Sequence, residues 1–193
     1  MALILASASA IRRSMLEQAG VEFVIQPGTV DETEEKRNHS DPVQLASALA
    51  EAKALNVSRA HPEDWVIGSD SVVSVEHRLF DKPRDREQAA KHLRFFSGKD
   101  IVLTSAVALA RNGVTEWLHC DSALLKVRQL SERFIEDYLE AEWPGVGYCV
   151  GVFRLEGPGV QLFESIEGSY FTILGMPLLP LLMALRERGL VES

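Results

Sequence analysis

The chain has 193 residues, of which 46% are hydrophobic, enough to bury the core of one larger domain or of two small ones. Its 20 Lys and Arg against 28 Asp and Glu give a net charge of −8, which argues against a protein whose main partner is a nucleic-acid backbone. The two cysteines, Cys120 and Cys149, fit neither a disulfide framework nor a zinc spacing, so a reducing cytoplasm is the expected compartment.

The sequence predicts neither a secretion signal nor a membrane span. The N-terminal apolar run, residues 2–6, has no basic residue ahead of it and so does not fit a secretory signal. The longest apolar tract, residues 172–185, contains Pro177 and Pro180 and is shorter than the roughly 20 residues that a membrane-spanning helix needs. We expect this tract to form a buried helix instead.

The first predicted strand runs directly into a helix. Residues 3–5 are typical of a short buried strand, and Ser7 and Ser9 precede the helix. Backbone N–H groups, two hydroxyls and the guanidinium groups of Arg12 and Arg13 come together at this junction, which is chemistry for binding an anion such as phosphate. The alternative is a serine N-cap followed by solvated arginines.

The next segment supplies two charged features. Residues 22–26 alternate as a second strand, and the acidic run at residues 31–35 is typical of a solvated loop. Asp41 caps the following helix, with Pro42 at its first position. Lys53 lies beside the apolar stripe of that helix, so it either extends past the core into solvent or points into a cleft.

One central stretch carries the most informative pattern. Residues 65–67 and 72–75 are apolar runs typical of buried strand, and the residues between them, 68–71, are small or polar. A carboxylate such as Asp70 at the edge of a buried strand is held rigidly and partly desolvated, which suits a general base or a metal ligand. Lys82 is a candidate counter-charge. The alternative is an ordinary turn with a solvated Asp70.

The remaining elements alternate between helices and strands. Capping and turn residues predict, in order, a helix after Asp85, a strand over residues 101–109, a hairpin turn at Asn112-Gly113, a return strand towards Val127 and a helix after Ser131. A further hairpin is predicted around residues 156–159, between apolar segments 152–155 and 160–163. No repeat or linker separates these elements, so one compact α/β domain over residues 1–193 is the simplest division.

Several known catalytic motifs are missing from the sequence. The segment Gly98-Lys99-Asp100 lacks the Ser or Thr of a P-loop, and Gly145 and Gly147 lack the third glycine of the dinucleotide fingerprint. Neither a Gly-x-Ser-x-Gly elbow nor a pair of histidines four apart occurs. Cys120 lies on a predicted strand whose neighbouring side chains face the opposite way, so a nucleophilic cysteine or a zinc site is not expected.

Six short segments of the chain match the pattern of one known protein family, and their order and spacing make a chance match improbable. They are Leu-Ala-Ser-Ala-Ser-Ala-Ile-Arg-Arg at 5–13, Gly-Ser-Asp at 68–70, Asp-Lys-Pro at 81–83, Phe-Ser-Gly at 96–98, Leu-Glu-Gly at 155–157, and Gly-Ser-Tyr through Gly-Met-Pro at 168–177. Together they resemble the Maf family of nucleoside triphosphate pyrophosphatases. The resemblance implies an elongated mixed β-sheet with flanking helices, in two lobes around a central cleft like inosine triphosphatases. Members of the family often form homodimers.

The resemblance also implies an activity. The family hydrolyses nucleoside triphosphates to the monophosphate and pyrophosphate with a divalent cation, Mg²⁺ or Mn²⁺, and removes non-canonical or modified nucleotides. In this chain Asp70 matches the catalytic carboxylate, expected to act as general base on a water, and Glu32 and Asp70 match acidic positions near the metal. The positions that bind the triphosphate are matched by Ser7, Arg12, Arg13, Lys53 and Lys82.

The base-recognition positions depart from the family pattern. Ile11 stands where one subgroup has arginine and another tryptophan, Ser71 replaces a common threonine or glutamine, and Glu156 replaces the glutamine of the pyrimidine-preferring subgroup. A glutamate accepts hydrogen bonds from guanine, and its charge favours a cationic base such as that of 7-methylguanosine triphosphate. Ile11 weakens that alternative, because isoleucine has no π face to stack on a cationic base.

A function of another class stays open. The family resemblance includes an association with septum formation, which fits a non-catalytic nucleotide-sensing regulator of cell division. The sequence shows no partner surface for such a role, and neither a nucleic acid nor a membrane is expected as a partner.

Overall fold

A computed structural model describes residues 1–192 and confirms the predicted mixed α/β sheet with flanking helices. The strands of this part of the chain are β1 (Leu3–Leu5), β2 (Val24–Ile25), β3 (Trp65–Val75), β4 (Arg78–Phe80), β5 (Asp100–Arg111), β6 (Val114–Val127) and β7 (Phe163–Glu167). The helices are α1 (Ala10–Gln18), α2 (Glu32–Asn38), α3 (Pro42–Ser58), α4 (Arg86–Phe96), α5 (Glu132–Glu142), α6 (Tyr170–Leu174) and α7 (Leu178–Glu187). Short 3₁₀ turns occupy Gly145–Tyr148 and Pro158–Leu162.

The strands have the order β2-β1-β3-β5-β6-β7, with β4 paired to β3. β1 is parallel to both of its neighbours, whereas β3–β4 and β6–β7 are antiparallel, so the sheet is mixed. The chain forms two compact units. The first contains residues 1–71, 104–121 and the described residues from 169 onward, and the second contains residues 72–103 and 122–168. The division of 1–193 as one domain stays a prediction.

The core of the first unit forms where β1 and β3 meet the helices α1 and α7. β1 pairs with β3 through Leu3–Trp65 and Leu5–Ile67, so consecutive apolar residues of both strands are buried. Side chains from α1, β5 and α7 complete this core; they include Leu16, Leu109, Leu181 and Leu185. The predicted first strand and the helix after it are confirmed.

Gly68 allows α3 to pack closely against β3. A Cβ atom at Gly68 would overlap the carbonyl oxygen of Ala50 and lie 2.5 Å from the backbone nitrogen of Ala54. Any side chain at this position would therefore push the helix away from the strand. Lys53 belongs to the same turn of α3, and Asp70 follows Gly68 by two residues, so this close packing brings the two charged residues together.

The second unit has a core of its own, rich in aromatic side chains. The rings of Phe80 and Phe96 meet edge to face with centroids 4.8 Å apart, a favoured arrangement of aromatic pairs. Leu93 of α4, Leu125 of β6 and Leu139 of α5 are also fully buried in this unit. α5 begins as predicted, with the Ser131 hydroxyl accepting a hydrogen bond from the backbone of the first turn.

Other predicted starts and turns are also confirmed. Asp41 caps α3 by accepting a hydrogen bond from the Gln44 N–H at 2.9 Å, with proline at the first helical position. Asn112 and Gly113 both have positive φ, 50° and 70°, as a two-residue turn between β5 and β6 requires.

The prediction of a loop at the acidic run 31–35 is wrong, because α2 begins at Glu32. Asp31 caps this helix by accepting from the Thr33 N–H. Acidic residues in the first turn and basic ones in the last complement the helix dipole, and the Glu32–Lys36 pair, 3.2 Å apart, joins successive turns. The charge run therefore stabilises a short helix.

The residues around Asp70 do not form a turn either. β3 continues without a break through residues 68–71, because its neighbouring strands supply the hydrogen bonds that its small residues would otherwise seek locally. The strand predicted at 22–26 is shorter than expected and covers only Val24–Ile25.

Two predictions near the C-terminal end are corrected. The hairpin expected around 156–159 is absent from the described residues, where Pro158–Leu162 is a 3₁₀ turn, since segment 152–155 is held by contacts to α5 rather than by a partner strand. The tract 172–185 is two helices, separated at Gly175, whose φ of 110° is left-handed. No helix within residues 1–192 is long and apolar enough to cross a membrane.

We predict that Gly68→Ala lowers the free energy of unfolding by about 3 kcal/mol, because the added methyl group must displace the backbone of α3. Urea denaturation followed by tryptophan fluorescence measures this loss. The control is Gly145→Ala, whose added Cβ would make only ordinary contact, 3.5 Å from Arg154. Equal losses in the two variants would show that close packing at Gly68 is not required.

Candidate active site

Asp70 lies on β3 in contact with two cationic side chains. Its side chain is 14% exposed, and its Oδ1 accepts a hydrogen bond from Lys53 Nζ at 2.9 Å. Arg12 Nη2 lies 3.9 Å from the same oxygen. The ammonium of Lys53 is also 2.9 Å from Oε1 of Glu32. The structure thus brings together four residues that the sequence singled out separately.

Glu32 stays ionised in this arrangement, because its pKa is lowered. Partial burial is the largest single influence and raises the pKa, but the hydrogen bonds and charges of Lys53 and Lys36 together outweigh it. Lys53 therefore neither extends into solvent nor stands alone: it joins the carboxylates of Glu32 and Asp70. Two acidic and two basic side chains leave the cluster of Arg12, Glu32, Lys53 and Asp70 close to neutral.

Arg12 is fixed by a set of hydrogen bonds that uses the planar geometry of its guanidinium. Nε donates to the carbonyl oxygen of Gly175 at 2.9 Å, and Nη2 donates to Ser71 Oγ at 3.0 Å. A longer contact, 3.4 Å, joins Nη1 to Ser7 Oγ. Burial lowers the pKa of Arg12, and the charges of the nearby carboxylates oppose this effect, but an arginine remains protonated in proteins.

The carbonyl oxygen of Gly175 collects three of these contacts. Besides Arg12, the hydroxyl of Ser69 donates to it at 3.0 Å, and Ser71 Oγ lies 3.2 Å from it. The left-handed backbone of Gly175 turns this carbonyl towards β3, and a Cβ at this position would lie 3.2 Å from Ser71 Oγ. Gly175 thus links the end of α6 to both Arg12 and the strand that carries Asp70.

A chain of hydroxyl groups continues from Ser71 into the interior of the first unit. Ser71 Oγ and Ser105 Oγ are 2.8 Å apart, and Ser105 Oγ donates to the carbonyl of Thr172 at 2.8 Å. The hydroxyl of Thr172 in turn donates to Asp121 at 2.7 Å. The sequence predicted no role for Ser69, Ser105 or Thr172. Ser69 and Thr172 lie within two of the six segments that resemble the family, and the signal for Ser105 was a pair of polar residues, 104–105, within an otherwise apolar strand.

The other predicted residues of the first unit are placed as follows. Ser7 is buried, and Ile11 is half-buried in the first turn of α1. Arg13 is exposed and pairs with Glu17 at 2.7 Å, and the structure of residues 1–192 gives it no hydrogen bond or ion pair to Asp70. The hydroxyl of Ser71 is engaged with Arg12, so its role in base recognition stays a prediction.

Two predicted residues, Lys82 and Glu156, belong to the second unit and are exposed. Both act electrostatically on the thiol of Cys149. Burial is the main reason that the pKa of this thiol is raised; Glu156 raises it further, whereas Arg154 and Lys82 lower it. Lys82 and Glu156 therefore lie in the surroundings of one side chain.

The oxygen donors around Lys53 have the chemistry that Mg²⁺ or Mn²⁺ prefers, and the two carboxylates of Glu32 and Asp70 already share one cation. Within residues 1–192 no group of three or more His, Cys, Asp or Glu side chains is placed to hold a metal. Glu32 and Asp70 would supply two oxygen ligands to a magnesium ion, which is commonly held in proteins by only one or two carboxylates.

We predict that Arg12→Lys lowers the free energy of unfolding by about 1–3 kcal/mol, because an ammonium cannot reproduce both buried guanidinium hydrogen bonds. The neighbouring Arg13→Lys is the matched control and should change it by less than about 0.5 kcal/mol, since Arg13 makes only an exposed ion pair. Urea denaturation of both variants measures the difference. If Arg12→Lys left the free energy of unfolding unchanged, the structural role of the guanidinium would be contradicted.

Known proteins match the chain over nearly its full length. It is 45% identical to "7-methyl-GTP pyrophosphatase" of Rhizobium meliloti (strain 1021), with 99% of this chain and 98% of that protein covered. It is 46% identical to "Nucleoside triphosphate pyrophosphatase" of Granulibacter bethesdensis, with 97% of each protein covered. Among solved structures, a nucleoside-triphosphatase/dITP/XTP pyrophosphatase from Mycobacterium abscessus aligns with a TM-score of 0.46 at 16% identity, covering 98% of this chain and 96% of that one.

A protein-family model also matches the chain. The model described as "Maf-like protein" matches residues 2–188, which include every residue of the cluster around Asp70. The resemblance read from six short segments of the sequence is therefore confirmed, and the chain belongs to the Maf-like protein family.

Proposed function

We propose that this chain is a nucleoside triphosphate pyrophosphatase, which hydrolyses its substrate to the monophosphate and pyrophosphate. The observation that carries this proposal is the largely buried carboxylate of Asp70 in contact with an ammonium and a guanidinium group. Such a set offers a base for water and cations for phosphate in one place. The names of two relatives, each more than two-fifths identical, support the same activity.

Asp70 acts as the general base in this proposal. The contacts from Lys53 and Arg12 both use Oδ1, so they fix the orientation of the carboxylate, while Oδ2 makes no hydrogen bond to the described residues. A water bound at Oδ2 gives its proton to Asp70 as its oxygen attacks the α-phosphorus. The bond from that phosphorus to the bridging oxygen breaks, and pyrophosphate leaves with the electron pair.

The cationic groups bind the triphosphate. Arg12 uses Nε and Nη2 for hydrogen bonds inside the protein, which leaves Nη1, with only a long contact to Ser7, as its least engaged donor. The N-terminus of α1 adds unpaired backbone N–H groups, because Ser9 does not cap it through its side chain and its first turn has no acidic residue. The same role is proposed for Ser7, Arg13, Lys53 and Lys82.

Glu32 and Asp70 are proposed to hold a divalent cation, Mg²⁺ or Mn²⁺. When bound, such an ion neutralises negative charge on the phosphate oxygens. Lys53 supplies positive charge between the same two carboxylates, which keeps them close together at 2.9 Å from one ammonium.

The preferred base is a finer proposal. The exposed carboxylate of Glu156 suits the donors of guanine, and one relative is named for 7-methyl-GTP, so 7-methylguanosine triphosphate is the second candidate substrate. Ser71 and Ile11 complete the proposed base-recognition set. The homodimer implied by the resemblance also stays a prediction, as does the alternative of a nucleotide sensor that regulates cell division.

We predict that Asp70→Asn lowers turnover by about a thousandfold or more, because an amide cannot accept the proton of the attacking water. Pyrophosphate release from a panel of nucleoside triphosphates, with Mg²⁺ or Mn²⁺, measures this loss. The exposed Asp137→Asn is the matched control. Tight nucleotide binding without release by the wild-type protein would favour the sensor, and normal turnover by Asp70→Asn would remove Asp70 from the chemistry.

We predict that Glu156→Gln shifts the ratio of kcat/KM values from guanine towards uracil nucleotides by about tenfold, since mispairing one hydrogen bond costs roughly 1 to 3 kcal/mol. The comparison uses steady-state pyrophosphate release from both nucleotides and from the 7-methylated guanine nucleotide. An unaltered ratio would place Glu156 outside the base site.

A further inference from the structure

Glu156 belongs to a segment that has little rigidity of its own. We call residues 144–159 the glycine loop, since five of its positions are glycine: 145, 147, 151, 157 and 159. Glycine has the largest conformational freedom of any residue, so such a segment keeps one shape only if other groups hold it. Two of the side chains that hold it, Glu142 and Tyr138, come from α5, in the same unit.

The first contact between α5 and the glycine loop is an ion pair. Glu142 Oε2 accepts hydrogen bonds from both Nη2 and Nε of Arg154, at 2.7 and 3.0 Å. The Glu142 side chain is only 7% exposed, so this carboxylate depends on Arg154 for its partner. Hydrogen bonding to Glu142 raises the pKa of Arg154, and the charge of Glu156 adds to this effect, which places Glu156 within electrostatic reach of the pair.

The second contact is a buried hydrogen bond from Tyr138 to the backbone. The Tyr138 hydroxyl donates to the carbonyl oxygen of Val152 at 3.1 Å. Burial raises the pKa of this hydroxyl, with a further contribution from Glu142, so it remains a donor at neutral pH. Val152 has a φ of 57°, a left-handed conformation that a β-branched residue adopts only when its surroundings impose it.

The third contact is made by the loop with itself. A Cβ atom at Gly159 would lie 2.5 Å from the carbonyl oxygen of Arg154, so the two backbones are in close contact. The same carbonyl accepts a hydrogen bond from the Gly157 N–H at 3.2 Å. The chain that follows Glu156 is thereby fixed to Arg154, two residues before it, and Arg154 is fixed to α5.

We propose that Glu142 and Tyr138 are positioning residues for nucleobase selectivity: through Arg154 and Val152 they hold the glycine loop in the shape that presents Glu156 to the base. Neither residue need touch the substrate. The proposal rests on the role given to Glu156 under Proposed function. If either contact to α5 is lost, the Glu156 carboxylate takes several positions, and the preference among bases weakens. The binding of phosphate groups is unaffected.

The test measures binding, so that it does not depend on turnover. Calorimetry gives the affinities of the α,β-methylene analogues of guanosine and uridine triphosphate, and of pyrophosphate, in the presence of Mg²⁺. The variants are Glu142→Gln, Glu156→Gln and the double variant. Glu140→Gln, an exposed change on the same helix, is the matched control. Thermal melting is recorded for each.

Glu142→Gln should lower the guanosine-to-uridine affinity ratio by about fivefold, because a hydrogen bond to a charged group is roughly twice as strong as a neutral one. Its affinity for pyrophosphate should stay within about twofold of wild type. The double variant should have the same ratio as Glu156→Gln alone, since Glu142 acts only through Glu156. A merely structural role would change melting and all affinities together and would leave the ratio intact.

Two results would overturn the proposal, and they are distinguishable. If Glu156→Gln lowers the ratio while Glu142→Gln retains it, the positioning role is wrong although the base role of Glu156 stands. If Glu156→Gln itself retains the ratio, the assignment of Glu156 fails and the positioning role with it. Should Glu142→Gln not fold, Tyr138→Phe replaces it, and a ratio unchanged by that variant counts equally against the proposal.

Discussion

The candidate site depends on one steric constraint, the close packing of α3 on β3 at Gly68. Because no side chain separates the strand from the helix, the ammonium of Lys53 reaches the carboxylate of Asp70 at 2.9 Å. The same ammonium also pairs with Glu32 of α2, so side chains from α2, α3 and β3 meet at one cation. A larger residue at Gly68 would push α3 away from β3 and so separate Lys53 from Asp70.

Around that contact, the buried polar groups of Arg12, Ser69 and Ser71 form hydrogen bonds with one another's side chains or with the Gly175 carbonyl. The Gly175 carbonyl accepts from Arg12 and from Ser69 of β3, which joins segments more than a hundred residues apart in sequence. Arg12 is thereby oriented before any anion binds, and a preoriented cation stabilises developing charge without the cost of reorganisation. These hydrogen bonds stabilise a buried guanidinium beside Asp70.

The sequence predicted the elements better than it predicted their contacts. The junction at residues 5–13, the cap at Asp41 and the turn at Asn112-Gly113 follow from local preferences, and they were confirmed. The meeting of Lys53 with Asp70 and the hydroxyl chain through Ser105 depend on tertiary packing, which no local pattern encodes. The hairpin predicted at 152–163 failed for the same reason: glycine and proline mark a change of direction, whereas side chains of α5 decide the shape.

The most direct test of the central claim is to locate the bond that water breaks. Hydrolysis of a nucleoside triphosphate in isotopically labelled water, followed by mass spectrometry of the products, shows which phosphorus receives the new oxygen. If Asp70 directs water to the α-phosphorus, the heavy oxygen appears in the nucleoside monophosphate and the pyrophosphate is unlabelled. Label in the pyrophosphate, or release of orthophosphate with the diphosphate, would contradict the account.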